Sequence, residues 1–358
     1  MSLSNLFSIF KRKKGKKYYN PDKDCILVTG GAGFIGSHLC QRLLQDGKKV
    51  ICMDSLEGKS DVRNIKPFLQ KANFKFIKQD INKPFRFDDF PELNDFQLDI
   101  YGIQEIYHLA VPTSAKEFDD LKLQTLYTNS LGTINMLELA KHYDAKFLLA
   151  SSFVIYGRKR ETPFKESDYG RVNPIGKQAC FDEGKRFAET AVVTYRQALK
   201  GLDAKIARIF RTYGPRQPML DGQMIPDFGL QALTGKPLVI YGDKNFSTSV
   251  CYINDVIDGL VRLMKSDESG PVNIGSDKSH KLVDLAKKII EMTGSDSEIQ
   301  FRKPLDFMRP LGIPDISLAK ETMDWFPMIG LDQGLEKMIE YLKAHRTLLE
   351  PMADKYDK

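Results

Sequence analysis

Apolar and polar positions follow two rhythms along this chain, and their order predicts a layered fold. From residue 24 onward, short apolar runs suited to buried strands recur as "CILVTG" (25–30), "KKVICMD" (48–54), "FKFIKQD" (74–80), "EIYHLA" (105–110) and "KFLLASS" (146–152). Between them, helical spacing covers about 34–46 and 121–142. Strands separated by helices specify a parallel sheet covered on both faces. After residue 175 the pattern mixes: a helix over about 177–199, a strand "KIARIF" (205–210), then Pro- and Gly-containing segments with small helices and short strands such as "PLVIYG" and "PVNIG".

Gly30, Gly33 and Gly36 form G-x-x-G-x-x-G between the first strand and the first helix. Glycine is needed there for a tight turn, for close approach of backbone to a pyrophosphate, and for packing of helix on strand; the helix N-terminus then faces the phosphates. Asp54 ends the second strand, placed to accept hydrogen bonds from an adenosine ribose. An acid there repels a 2′-phosphate and favours NAD over NADP, with Lys59 and Arg63 further downstream. The fold class is therefore α/β: a Rossmann-type doubly wound parallel sheet with a smaller mixed C-terminal substrate lobe. The expected division is a basic leader (1–22) without fixed structure, an NAD-binding domain (23–180) to which strands from about 203–214 and 245–260 return, a substrate-binding lobe (181–345) and a tail (346–358).

Composition adds limits. At 358 residues and 42% hydrophobic, the chain can bury one large or two moderate cores. Its net charge of +6 lies in the leader, where residues 1–17 hold six cations and no acid; the remainder has as many cations as its 47 acids. A neutral body predicts no general affinity for nucleic acid. Five scattered cysteines without C-x-x-C or Cys/His ligand spacing point to reduced thiols, a cytoplasmic compartment and no metal. No stretch is long enough to cross a bilayer. In the leader, Leu3, Leu6, Phe7, Ile9 and Phe10 precede the basic run. Two readings stand open: peripheral contact with an anionic membrane surface, or a solvated segment.

"VTGGAGFIGSHL" (28–39), "IYHLA" (106–110), "TNSLGTINMLELAK" (128–141) and "VNPIGKQACFDEGKRFAET" (172–190) together resemble the extended short-chain dehydrogenase/reductase superfamily, and within it the UDP-glucuronate decarboxylases. The resemblance runs from about 24 to 344. It implies that NAD is bound by Gly30, Gly33, Phe34, Ile35, Gly36, Asp54, Asp80, Ile81, Leu109 and Ala110, with Lys185 on the nicotinamide ribose. It implies Ser152 against the reacting sugar hydroxyl, and Asn129, Arg211, Arg216 and Tyr241 toward a nucleotide-sugar, most naturally a UDP-sugar. It also implies a homodimer through the helices at about 121–142 and 177–199.

In such enzymes NAD oxidises the sugar at C4, and a tyrosine four residues before the lysine takes the hydroxyl proton. The pair shares one helix face, and the neighbouring cation lowers a phenol pKa that is otherwise near 10. This chain has Phe181 at that position. It also has Phe153 and Val154 where the decarboxylases have serine and a chemically active glutamate, Ser247 and Thr248 where they have Thr-Arg, and Arg211 where they have asparagine after A-R-I-F. Losing a general base costs about 10²- to 10⁴-fold in rate. The economical remaining pair is Ser152 with Lys185, assisted by water. Tyr156, His108 and Cys180 are nearby in sequence, each with a plain structural reading. Two functions follow: a nucleotide-sugar enzyme with altered acid/base residues and an altered reaction or substrate, or a catalytically inactive relative that binds NAD or nucleotide-sugar as a regulatory or partner subunit.

Overall fold

The computed structural model describes residues 24–113, 119–157, 162–219, 224–242, 245–303 and 312–345. The expected leader (1–22) and tail (346–358) lie outside the described residues. Seven parallel strands form the central sheet: β1 (Cys25–Thr29), β2 (Lys49–Asp54), β3 (Phe74–Lys78), β4 (Glu105–His108), β5 (Lys146–Ser152), β6 (Ala204–Ile209) and Pro271–Ile274. Their spatial order is Pro271–Ile274, β6, β5, β4, β1, β2, β3. The chain winds one way from β1 to β3 and the other way from β4 to β6. The switch falls between β1 and β4, where Val28 pairs with Tyr107 on one side and Cys52 on the other. In a doubly wound sheet the crevice at the C-terminal strand ends beside this switch is the ligand site.

Alternation along each strand divides the core between the two sheet faces. Val28, Tyr107, Leu148 and Ala207 belong to one cluster, packed with residues of the helices Phe34–Gln45 and Ile253–Lys265. Leu27, Ile106, Phe147, Leu149 and Ile206 belong to the other, with residues of the helices Thr133–Tyr143 and Ala179–Ala198. Each fully buried aliphatic or phenyl side chain contributes about 1.5–3 kcal/mol.

Two expectations need correction. The helix read over about 121–142 is interrupted: Lys122–Tyr127 and Thr133–Tyr143 flank a π-helical turn, Thr128–Gly132. The wider turn accompanies side chains that bond back onto carbonyls, Asn129 Nδ2 to Thr125 O (3.0 Å) and Ser130 Oγ to Leu126 O (2.7 Å). It also seats Gly132 against Ile81, where a Cβ would stand 2.7 Å from Ile81 Cδ1. Of the strands expected to return to the sheet, β6 does so, while the 245–260 region does not. Its two-residue strands pair elsewhere, Ser247–Thr248 with His280–Lys281 and Cys251–Tyr252 with Thr212–Tyr213, and a helix starts at once at Ile253. The edge position on β6 is taken by Pro271–Ile274.

The helices Met224–Leu233, Leu282–Thr293 and Leu331–Ala344 and the parallel pair Leu238–Tyr241 with Ile299–Arg302 make up the smaller lobe. Among the described residues, no helix is long and apolar enough to cross a membrane.

Candidate active site

The glycine loop is shaped by contacts that leave no room for side chains. Gly30 has φ of 69°, and a Cβ on it would lie 2.8 Å from the Ala110 backbone nitrogen. A Cβ on Gly36 would lie 2.1 Å from the Gly30 carbonyl oxygen, so the helix can approach the loop only as glycine. Gly33 sits at the cap of the helix Phe34–Gln45 without a side-chain partner for its N-terminal amides, which leaves those donors for an anion.

Asp54 is 5% exposed, and its carboxylate accepts from Ala32 N (3.0 Å), Leu56 N (2.9 Å) and Ser60 Oγ (3.1 Å). Burial raises its pKa, and those three hydrogen bonds partly offset the rise. Beyond β3, Asp80 accepts from Asn82 N, and Ile81 is held through its carbonyl by Asn135 Nδ2. Leu109 and Ala110 are pinned to Thr29, the first through its carbonyl and the second through its hydroxyl.

A cavity of about 390 Å³ runs along this edge, lined at one end by Gly30, Gly33, Phe34, Ile35, Gly36, Asp54, Asp80 and Ile81, and at the other by Leu109, Ala110, Ser152, Phe153, Val154, Phe181, Lys185 and Arg211. All ten residues expected to hold NAD line it together with Lys185. Asn129, Arg216 and Tyr241 do not. Asn129 is buried against the helix Ala179–Ala198, where Gly184 makes room for it. Arg216 donates instead to His38 Nδ1, Gln41 Oε1 and the Asn64 carbonyl, tying its loop to the first helix. Tyr241 closes a strand of the smaller lobe.

Lys185 is 4% exposed, donates to the Ala150 carbonyl (2.8 Å) and lies 6.0 Å from the centre of the Phe181 ring. Burial lowers its pKa to about 8, and the Glu189 carboxylate opposes that shift. A buried amine in that range is a usable proton acceptor near neutral pH. Ser152 Oγ accepts from Val154 N at 3.4 Å, a long bond that leaves the hydroxyl proton available to a neighbour.

The other three base candidates lie outside the cavity lining. His108 is enclosed between the Thr29 and Thr133 hydroxyls (2.9 and 3.2 Å), and burial, with Lys185 nearby, lowers its pKa to about 3. The Tyr156 hydroxyl donates to Asn273 Oδ1 and accepts from Arg208, and burial pushes its pKa up. Burial likewise raises the Cys180 thiol.

One supporting group escaped the sequence reading. Arg208 on β6 makes a two-point pair with Glu189 (Nε to Oε1 3.0 Å, Nη2 to Oε2 2.8 Å), and Glu189 accepts from the cavity-lining Ser151 hydroxyl at 2.5 Å. The signal was present: Glu189 stands four residues after Lys185 on one helix face.

The glycine cradle, the cavity-lining acid at the end of β2 and the buried lysine fit a dinucleotide with its pyrophosphate on the helix N-terminus, which defines an NAD-binding α/β enzyme of the short-chain dehydrogenase/reductase type. The chain belongs to the NAD dependent epimerase/dehydratase family, whose model matches residues 26–275. It is 38% identical over 344 residues to UDP-glucuronic acid decarboxylase 1 of Xenopus tropicalis, covering 95% of this chain and 78% of that protein. Among solved structures it is similar to UDP-glucuronic acid 4-epimerase from Bacillus cereus in complex with UDP-glucuronic acid and NAD, at 28% identity and a TM-score of 0.76, covering 89% of this chain and 99% of the other. It is also similar to UDP-glucose 4-epimerase of Thermotoga maritima with UDP-glucose, at 27% identity and a TM-score of 0.78, covering 90% and 99%.

Proposed function

We propose that this chain uses NAD to oxidise, at C4, the sugar of a UDP-sugar, with Lys185 and Ser152 handling the hydroxyl proton that a tyrosine handles in the family pattern. The observation that carries this reading is the single cavity in which an intact dinucleotide cradle meets a buried lysine with a pKa near 8, with Phe181 at the tyrosine position. NAD, when bound, supplies the hydride acceptor and returns the hydride. The chain's own residues do the rest. Ser152 passes the hydroxyl proton toward Lys185, directly or through water, while Ala150 O holds the amine in place. Phe153, Val154 and Phe181 present no hydrogen-bonding side-chain atoms and keep that part of the cavity apolar. From a 4-keto sugar the class allows epimerisation, dehydration or loss of a neighbouring carboxylate.

The reading is supported by relatives that are named as UDP-sugar decarboxylases and epimerases. It is tested by incubating the NAD-loaded chain with a panel of UDP-sugars while following nicotinamide reduction and identifying products by mass spectrometry. Reduction or product with at least one sugar is expected. Silence with every sugar, in protein shown to hold NAD, removes the reading.

Two coarser features belong to the same proposal. Exposed Leu123 (67%), Leu126, Tyr127 and Phe187 stud the helices Lys122–Tyr127 and Ala179–Ala198, as a homodimer through those helices requires; light scattering at a dimer mass supports it and a monomer mass excludes it. Residues 1–17 are proposed to add contact with anionic lipid, checked by co-sedimentation with phosphatidylserine vesicles against neutral ones.

A further inference from the structure

We propose that Arg216, which stands outside the cavity, is the residue that keeps the dinucleotide in it: its guanidinium clasps the cavity wall formed by residues 214–218 to the wall formed by the glycine loop, and a dinucleotide enters or leaves only when that clasp opens. The inference rests on the dinucleotide site and is independent of the sugar chemistry proposed above.

The two walls come from distant parts of the chain. Gly30, Gly33 and Ser60 line one, while Gln217 and Pro218 line another, contributed by the segment that follows the short strand Thr212–Tyr213. Within that segment Gln217 Nε2 donates to the Thr212 carbonyl (3.1 Å), which fixes its local shape. Arg216 ties it across. Its guanidinium donates to the Asn64 carbonyl (3.3 Å), to His38 Nδ1 (3.0 Å) and to Gln41 Oε1. Arg216 and these three partners all stand behind the cavity lining.

The three acceptors lead back to the cofactor loop. Asn64 Nδ2 donates to the Ala32 carbonyl (2.9 Å), and Ala32 N donates to the Asp54 carboxylate (3.0 Å). His38 and Gln41 belong to the helix Phe34–Gln45, which begins at the glycine loop. His38 also bonds the segment a second time, since its Nε2 donates to the Pro215 carbonyl (2.9 Å). One neutral imidazole therefore holds two successive residues, as donor to Pro215 and acceptor from Arg216. Burial, and after it the Arg216 charge, lower the His38 pKa to about 3, so the acceptor persists at ordinary pH.

The backbone supports the assignment. Arg216 has φ of 65°, in the left-handed region that a residue with a Cβ seldom occupies. Glycine would make that turn more readily, but would leave the two walls untied. Hydrogen bonds from a charged donor offset the strain.

A clasp of this kind has a kinetic signature. A residue that touches a ligand changes mainly how fast the ligand leaves. A residue that touches only protein, and must let go for passage in either direction, slows entry and exit alike. Removing it quickens both.

The experiment uses the full chain and NADH as the probe, with stopped-flow fluorescence for both directions: NADH mixed with nucleotide-free protein for entry, and NADH-loaded protein chased with excess NAD for exit. Arg216→Met is expected to quicken both rates by about tenfold or more, the range for losing one hydrogen bond to a charged group. Arg216→Lys is expected to show a smaller rise. Gln41→Met, which removes one of the three acceptors, is expected to quicken both rates by less than Arg216→Met, and it decides the matter if Arg216→Met does not fold. Rates equal to native in folded Arg216→Met, or in Gln41→Met when that variant decides, overturn the clasp. So does a faster exit with entry unchanged, which marks an ordinary binding contact. Failure of the native chain to bind NADH removes the dinucleotide site itself and the clasp with it, whereas silence toward every UDP-sugar leaves these rates readable.

Discussion

Phe181 and Lys185 share a helix face, and the consequence of losing the phenol falls on the amine. With no phenolate beside it, Lys185 has a pKa that burial lowers to about 8 and the Glu189 carboxylate opposes. Placing a phenol back by Phe181→Tyr is expected to raise turnover by about 10²-fold or more, the range for restoring a general base; steady-state kinetics on whichever sugar turns over checks it. Gly36→Ala is expected to abolish NAD binding, because its Cβ would sit 2.1 Å from the Gly30 carbonyl; fluorescence titration with NADH reads this directly. At this scale the sequence marked the residues that line the cavity, since the glycine spacing and the acid at a strand end are set by local geometry. It did not mark that Arg216 and Asn129 stand outside the lining of that cavity. Their types suit a diphosphate or a sugar, but His38, Gln41 and Asn64 take the first, and close packing on Gly184 takes the second.

Elements hold these residues in place through groups that join them. Glu189 links the helix Ala179–Ala198 to β5 through Ser151 and to β6 through Arg208. Its side chain is 13% exposed and that of Arg208 9%. Removing one charge leaves the other buried and unpaired, at a cost of about 3–5 kcal/mol. Glu189→Gln is therefore expected to lower stability by that order in urea melts, while the paired replacement Glu189→Gln with Arg208→Met recovers part of it. The π turn at Thr128–Gly132 illustrates what periodicity conceals. Apolar spacing runs smoothly through 121–142, and one extra residue in a turn changes no pattern that a sequence scan registers. Gly132 against Ile81 and the Asn129 and Ser130 side-chain bonds are tertiary and local facts that appear only once β3 is folded beside the helix.

Across the whole molecule, the parallel sheet was legible because each strand is a continuous apolar run, whereas the smaller lobe's two-residue strands carry no such signal. That is why the 245–260 region was expected in the sheet and Pro271–Ile274 is found there. The fold also stores an acid sensitivity. His38 and His108 are buried neutral with pKa values near 3, lowered first by burial and then by Arg216 and Lys185 respectively. The unfolded chain takes up those protons below about pH 6.5, so stability is expected to fall as pH drops from there toward 3, by roughly 1.4 kcal/mol per pH unit for each histidine. His108→Gln is expected to flatten the slope in thermal melts recorded across that window; an unchanged slope would show that His108 is not buried neutral.

The proposed reaction turns on Lys185. The direct measurement is the single-turnover rate of nicotinamide reduction by a bound nucleotide-sugar, recorded against pH for the native chain and for Lys185→Met. A native rate that climbs with pH through about 8, and is lost in Lys185→Met protein that still binds the sugar, is the expected result. A rate that stays flat across that window, or survives loss of the amine, contradicts the assignment of Lys185 as the proton acceptor.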